Sequence, residues 1–529
     1  MTILPFFPVR SVLLPVALAS LLAGCVTPKP LTADDIARAG KQRMDELQRK
    51  QAAMGEALTL PQALDWALDN NLSLRAEALE KSLARQNQRI ASVAMLPNIT
   101  AQAGYRWRSN LSASSSQNIV TGQQSLVPST SSDRTGTTAS LEASWNVLDF
   151  SLAWLRARTE GEKLNLAAEA RRRMSHQLAL EVTYAWQRAA LYQQIDPELA
   201  RIREDVRRAL GKVDKVAATG LSDPVALLEY KASLLLILKR MDALVTEMNQ
   251  SRDELGRLLG VPLGRVMRLV QASEPVTPHL PGLSVQDWQY LALLHRPEVR
   301  MGLYAQRNAE RGAYRKMVEQ FPSLLFKYGT NYDSNSFLVN DRWEDSSVNL
   351  SMSLMRLATL PLQRRLAALE KEQAVLQVDI QSVAVMTQVA IAHKALSSVS
   401  MQECLGGALL KTTDQKMALL DARFGAATVD ELTMVRSRVD HLLLRIEREM
   451  SRIELSRAML VMAQSVGVGA WPDEVLDMAS SDERLARIAK WTGGGMISAL
   501  SEATLQLAEQ RAGEQVSAKT PEKGELECL

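Results

Sequence analysis

The chain has 529 residues, 46% hydrophobic and 5% aromatic, which is enough apolar material for a large helical core. Lysine and arginine number 62 against 59 aspartate and glutamate, a net charge of +3. That balance, without any basic stripe interleaved with aromatics, excludes a nucleic-acid binder. The three cysteines, Cys25, Cys404 and Cys528, lie in unlike settings and predict no disulfide framework.

Residues 1–24 read as a secretory signal. A short segment ends at Arg10, and an apolar run of about a dozen residues follows from Ser11, too short to span a bilayer. The run closes on Leu22-Ala23-Gly24-Cys25, which resembles the lipobox of bacterial lipoproteins. The resemblance implies that Cys25 is lipidated as the first mature residue. Val26 in place of an aspartate implies sorting to the outer membrane. Residues 25–57 are expected to form a polar, helix-prone leader behind that anchor. No later run reaches about 18 uncharged apolar residues, so a crossing of the membrane would have to be a barrel.

From Leu58 the sequence falls into two parallel halves, 58–265 and 283–468, joined by a linker at 266–282. "LTLPQALDWALDNNLSLRAEA" in the first half is matched by "LSVQDWQYLALLHRPEVRMGL" in the second. The spacing predicts one helix over about 60–95. Leu96-Pro97, matched by Phe321-Pro322, then introduces an alternating strand. Ala103, Tyr105 and Trp107 alternate with Gln102, Arg106 and Arg108. In the second half Leu324, Phe326 and Tyr328 form the matching apolar set. A polar loop and a second strand follow in each half. Leu141 to Val147 alternate with Glu142, Ser144 and Asn146. Val348, Leu350, Met352 and Leu354 alternate with Asn349, Ser351 and Ser353. Strands of about ten residues with one apolar and one polar face have the length of tilted membrane strands.

Each hairpin passes into a long helical pattern. The first is predicted over about 152–218 with an interruption at Asp196-Pro197. The second is predicted over about 362–424 with a weak point at Gly406-Gly407. Each spans about 95–100 Å at full helical rise. In "WNVLDFSLAW", where strand becomes helix without Gly or Pro, Asp149 and Ser151 are the candidate N-caps. Turns at "ATGLSDP" and "RFGAATVDE" precede shorter return helices. Their apolar residues keep coiled-coil spacing: Leu234, Leu238, Met241, Val245 and Met248 in one, Leu432, Val435, Val439, Leu442 and Ile446 in the other. Residues 469–512 form a C-terminal segment, and 513–529 have the composition of a disordered tail. The five histidines have no metal-ligand spacing, and no phosphate loop or nucleophile motif is present, so no enzyme, cofactor or metal site is expected.

The order of "LTLPQALDWALDNN", Leu96-Pro97, "WNVLDF" and the two glycine turns, given twice behind a lipobox, resembles the TolC-like outer-membrane efflux proteins over about 58–468. The resemblance implies a mainly α protein with long antiparallel coiled-coil helices and four β-strands per chain in a two-fold internal repeat. Three chains would build a twelve-stranded barrel continuing into an α-helical tunnel. It implies a passive export duct in the outer membrane, reaching into the periplasm. The implied partners are a periplasmic adaptor and an inner-membrane pump or ABC transporter. Gln102, Arg106, Arg108, Glu142, Ser144, Asn146, Asn349, Ser351 and Ser353 would face the pore. Gly220, Leu221, Ser222, Gly425, Ala426 and Thr428 would form the adaptor-contacting tip turns, with Asp430 and Glu431 as aperture acids. Exposed helix-start charges favoured by the dipole explain those two acids equally well. A non-porous coiled-coil lipoprotein of the envelope is the alternative reading of the whole chain.

Overall fold

The computed structural model describes residues 30–55, 57–125, 127–219, 223–261, 268–270, 283–425, 431–469, 471–478 and 480–512. The chain divides into two compact units, Met1–Glu56 and Ala57–Leu529. In the first, helix α1 (Ala33–Ala53) starts at a capping box. The Thr32 side chain accepts from the Asp35 N–H, and the Asp35 carboxylate accepts from the Thr32 N–H at 3.1 Å.

The second unit begins with helices α2 (Leu60–Asn70) and α3 (Leu72–Val93), then strands β1 (Asn98–Trp107) and β2 (Thr135–Asn146). Helix α4 (Val147–Thr219) follows directly, and α5 (Pro224–Leu259) returns alongside it. The same order recurs in α6 (Val285–His295), α7 (Pro297–Val318), β3 (Ser323–Asp333), β4 (Arg342–Ser351), α8 (Leu354–Gly425) and α9 (Glu431–Val466). The segment after α9 contains a 3-10 turn at Asp473–Asp477, helix α10 (Ser481–Lys490), a π-helical turn at Trp491–Gly495, and α11 (Met496–Ala512).

Four strands form one antiparallel sheet in the order β1-β2-β3-β4. A two-residue strand, Ala57–Leu58, pairs in parallel with Arg268–Leu269, and another short pair lies in the loop between β1 and β2. On the sheet side of the bundle, α3 packs on α4, α4 on α7, and α7 on α8. Further along, α5 packs on α4, α4 on α9, and α9 on α8.

The spacing between equivalent elements is constant. Leading helices and first strands start 225 residues apart (Leu60 to Val285, Leu72 to Pro297, Asn98 to Ser323). Second strands, long helices and return helices start 207 apart (Thr135 to Arg342, Val147 to Leu354, Pro224 to Glu431). Strand registers obey both spacings, since Asn98 faces Ser144 in one hairpin and Ser323 faces Ser351 in the other. A backbone contact obeys them too. Gly260 (φ 66°) ends α5 so close to Asn70 that an added Cβ would lie 2.6 Å from the Asn70 carbonyl oxygen. Gly467 (φ 79°) follows α9, where a Cβ would lie 2.9 Å from the His295 carbonyl carbon. Both positions require glycine for conformation and for space.

Four sequence expectations are corrected. The helix expected over 60–95 is two helices. Asn71 ends α2 and caps α3, its side chain accepting from the Leu74 N–H at 3.1 Å and donating to the Leu258 carbonyl at 3.0 Å. Arg296 before Pro297 makes the equivalent break, in the extended conformation that a following proline favours. The long helices are uninterrupted and start earlier than expected, at Val147 and Leu354, with Pro197 and Pro361 inside them. Pro197 leaves one carbonyl without its helical N–H. Ile195 and Leu199 on either side are buried in the coiled-coil core, which holds the helix through it. The N-cap is neither Asp149 nor Ser151. Asn146, the last strand residue, accepts from the Leu148 N–H at 3.0 Å, while Ser151 lies inside the helix and donates to the Val147 carbonyl. Finally, Cys404 is disulfide-bonded.

Among the described residues, two apolar cores run through the bundle. Leu191, Tyr192, Leu199, Val206 and Val213 of α4 meet Leu234, Ile237 and Met241 of α5 and Val439, Leu442 and Ile446 of α9. The second core joins Trp288 of α6, Val385 and Val389 of α8, Met462 and Val466 of α9, and Leu500 of α11. The C-terminal segment is held by charge. Arg484 bonds Asp69 at 2.6 and 3.0 Å and also pairs with Asp65 of α2. Those two carboxylates raise its pKa above the ordinary guanidinium value against the opposing effect of burial. Arg171 of α4 donates to Asp477 at 2.9 Å and to the Leu476 carbonyl at 2.8 Å. Trp471 and Trp491 meet edge to face at 5.0 Å, and the Trp491 indole donates to the Gly469 carbonyl at 2.8 Å.

The seam between α4 and α7 is ionic. Glu162, whose side chain is 6% exposed, meets Arg311 at 2.6 Å and Arg307 at 3.7 Å, and Glu169 meets Arg300 at 3.6 Å. Glu162 is the buried member of the cluster, while the Arg311 and Arg307 side chains are 24% and 54% exposed, so removing the carboxylate strands the arginines only in part. Glu162→Ala is therefore expected to cost about 1–2 kcal/mol and to lower the melting temperature of the purified protein by a few degrees. Asp205→Ala, which removes a surface pair with Arg208, is expected to cost about 0–0.5 kcal/mol. Circular-dichroism melts of the two variants read the contrast; equal melts would show that the seam contributes no more than a surface pair.

Candidate functional site

The registers sort every residue of the sheet onto one of two faces. One face carries the rows Asn98–Ser144–Lys327–Ser347, Thr100–Glu142–Gly329–Asp345 and Gln102–Ser140–Asn331–Trp343, with Asn146, Leu325 and Asn349 beneath. The other carries Ile99–Ala143–Tyr328–Ser346, Ala101–Leu141–Thr330–Glu344 and Trp145–Phe326–Val348, with Leu324 beside Leu350.

The polar face is cross-linked by its side chains. The Lys327 ammonium donates to Glu142 at 3.0 Å, the Asn331 amide bonds Asp345, and the Asn146 amide donates to Ser323 at 2.8 Å. Gln102, Arg106, Glu142, Ser144, Asn146, Asn349 and Ser351 thus share one face of the sheet. Two residues assigned to that face are outside the strands. Arg108 follows β1, its backbone N–H donating to the Arg134 carbonyl, and Ser353 lies between β4 and α8. The second strand of the second half begins and ends earlier than the alternation suggested, so Met352 and Leu354 are also outside it. Trp343 was missed because it lies in what reads as a loop; the register puts it on the polar face.

The apolar face carries aromatics toward both ends. Near the helices, Trp145 lies 5.7 Å from Phe150, edge to face, and 6.5 Å from Phe326. Toward the loops, Tyr105 and Trp107 are 72% and 63% exposed. Aromatic girdles on either side of an apolar band mark the two interfaces of a membrane-spanning sheet. Two charged residues near the loop end of β4 also fall on this face. Glu344 accepts from the Tyr328 hydroxyl at 2.8 Å, and the Arg342 guanidinium lies 5.7 Å from the centre of the Tyr332 ring.

At the loop end the two hairpins are locked together. Asp133 accepts from the Ser336 N–H at 2.6 Å and the Ser336 hydroxyl at 3.0 Å. The buried Asn335 amide donates to the Ser131 carbonyl at 3.0 Å, and its oxygen accepts from the Asp133 N–H at 3.1 Å. At the opposite end of the bundle α4 ends at Thr219 and α5 begins at Pro224. Gly220, Leu221, Ser222, Ala426, Thr428 and Asp430 lie outside the described residues. Gly425 is the last residue of α8, and Glu431 the first of α9. Asp223, which the sequence reading passed over, caps α5 by accepting from the Val225 N–H at 3.0 Å, ahead of Pro224. Lys231–Asp214 at 2.7 Å and His441–Asp414 at 2.6 Å tie the helices of each hairpin together near these turns.

No protein-family model matches the sequence, and no curated protein matches it. Solved structures do match. The CmeC outer-membrane channel of Campylobacter jejuni superposes with a TM-score of 0.63 at 13% identity, over 82% of this chain and 89% of that one. The outer-membrane channel OprN superposes with 0.61 at 16% identity, over 77% and 89%. The open state of the MtrE outer-membrane channel of Neisseria gonorrhoeae superposes with 0.60 at 14% identity, over 77% and 88%. The chain has the fold of these TolC-like outer-membrane channels.

Proposed function

We propose that the protein is a passive export duct of the outer membrane, extending into the periplasm as the outer part of a tripartite efflux pump or a type I secretion system. The observation that carries this reading is the two-faced, four-stranded sheet passing directly, or within two residues, into helices of 73 and 72 residues, each about 110 Å long. A sheet with two open edges cannot stand in lipid, where unpaired backbone is not tolerated. Copies must close it, and three copies give the twelve strands expected from the resemblance. In this reading each chain is one plan used twice, the polar face lines water, and the apolar face meets lipid. Cys25 carries the acyl anchor. The turns around Gly220 and Gly425 form the periplasmic tip, where the adaptor docks and where Asp430 and Glu431 narrow the aperture. The mechanism is gating and passage without bond chemistry, driven by a pump in the inner membrane.

Two experiments test the reading. Purified oligomer in planar bilayers is expected to show stepwise single-channel conductance. An oligomer that stays silent, both unmodified and with Asp430→Ala and Glu431→Ala combined, would favour the non-porous coiled-coil lipoprotein. The face assignment is tested separately, by neighbours on β2. Leu141→Arg places a charge on the lipid face at a cost of about 2–4 kcal/mol and should strongly reduce oligomer recovered from outer membranes. Ser140→Arg should leave the yield near that of the unmodified protein. Equal yields would show that the two faces are not distinguished by lipid.

A further inference from the structure

The helices carry their charge unevenly. The last nine residues of α3 and the first twelve of α4 and of α8 adjoin the sheet, and together they hold seven arginines, no lysine and one acid, Asp149. Further from the sheet the balance returns. The rest of α4 has eleven lysines and arginines against nine acids, and the rest of α8 has five against six. Of the seven arginines, Arg356 donates to the Glu319 carbonyl at 2.9 Å. The other six, Arg85, Arg89, Arg156, Arg158, Arg364 and Arg365, are exposed and make no ion pair among the described residues. Like charges gathered at one end of a bundle repel one another, and an anionic partner relieves that repulsion.

Helix α4 shows where the charge sits. Phe150 meets Trp145 on the apolar face of the sheet, and Trp154 and Arg158 follow Phe150 at intervals of four, along one side of the helix. The Arg158 guanidinium lies over the Trp154 ring, 4.3 Å from its centre. Side chains on a helix lean toward its N-terminus, which on α4 and α8 is the end at the sheet. The Arg158 charge is therefore level with Trp154, about 6 Å along the axis from Phe150. The headgroup layer beside the hydrocarbon of a bilayer is about 5–7 Å deep. Tryptophan favours that layer, and the charged end of an arginine beside it reaches lipid phosphate. The second half repeats the arrangement. The spacing of 207 residues carries Phe150 to the exposed Leu357 and Arg158 to Arg365. The use of arginine alone suits phosphate, since the guanidinium fork bonds two of its oxygens at once.

We propose that this arginine collar binds the phosphates of anionic phospholipid headgroups in the periplasmic leaflet of the outer membrane, with Arg158 on its Trp154 platform and the repeat-related Arg365 as the principal contacts. The proposal rests on the duct reading above, which puts the sheet in the bilayer, and adds a lipid class and the residues that hold it. Arg156 and Arg364, and Arg85 and Arg89 one turn apart on α3, raise the positive potential around the two contacts.

The test uses the purified full-length oligomer in detergent, titrated with phosphatidylglycerol and read by native mass spectrometry. Arg158→Gln combined with Arg365→Gln should weaken phosphatidylglycerol binding by about fivefold or more. Phosphatidylcholine binding and the melting temperature should stay unchanged, because both side chains are exposed. Arg201→Gln combined with Arg207→Gln, two exposed arginines far down α4, should leave phosphatidylglycerol binding as it was. An intact double variant at the collar that binds phosphatidylglycerol as tightly as the unmodified protein overturns the collar and leaves the duct standing. Displacement of the lipid by inorganic phosphate would assign the arginines to free anions and overturn the lipid assignment. An oligomer that never conducts in planar bilayers overturns the duct reading, and with it the level given to the arginines, whatever its lipid binding.

Discussion

The outer edges of β1 and β4 carry backbone N–H and C=O groups that no strand among the described residues pairs. In water such edges are an aggregation hazard; in hydrocarbon each unpaired group costs several kcal/mol. The remaining architecture is arranged around that constraint. The hairpins are linked through β2 and β3 so that the internal sheet is continuous, and only the extremes are open. The long helices start directly after β2 and two residues after β4, so the order of strands becomes the order of helices. An edge left open in the sheet is thereby left open along the bundle as well.

The joint between strand and helix is where this transfer happens, and it is made without glycine or proline. Asn146 ends β2 and immediately supplies a side-chain oxygen to the first turn of α4. Its amide reaches across to Ser323 on β3. One residue thus terminates a strand, caps a helix and ties two hairpins together. Trp145, Phe150 and Phe326 cluster on the opposite face and shield the turn where the chain changes direction. A permissive backbone is unnecessary here because β and αR conformations are both open to ordinary residues. What the joint requires is a hydrogen-bond acceptor at the right position, which Asn provides.

Much of this was legible in the sequence because it depends on periodicity. Alternation over 102–108 and 141–147 marked the two faces, and the heptads of α5 and α9 are buried where Leu234, Met241, Val439 and Leu442 predicted. The losses were of another kind. Pro197 reads as a break because local propensity disfavours it, yet packing by Ile195 and Leu199 overrides one missing hydrogen bond. Asn71 reads as one polar residue among several, and its use as a double cap depends on the Leu258 carbonyl, 187 residues away. Trp343 was assigned to a loop because "DRWED" lacks alternation, and only pairing with β3 draws it into the sheet. Arg484 gave no signal at all, since its partners Asp65 and Asp69 lie at the other end of the chain.

The two halves share their plan but differ in the residues that their long helices carry at matching positions, and the difference has a physical consequence. Within one chain α4 and α7 are held at high effective concentration, so their seam needs little driving force and can use Glu162, Glu169 and three arginines. Paired charges contribute little net association energy once desolvation is counted, but they fix geometry, because a slipped register leaves them unpaired. At positions 369, 376 and 383, where α4 has Glu162, Glu169 and His176, α8 has leucine, leucine and valine, all three exposed. Matching positions thus hold an ionic seam in the first half and an uncovered apolar stripe in the second, so the two long helices share a length and a place in the order but not a surface chemistry. Where charges set the seam, a slip of one residue is opposed by the helices; in the sheet the same slip is opposed by the two faces, since it exchanges the polar face for the apolar one.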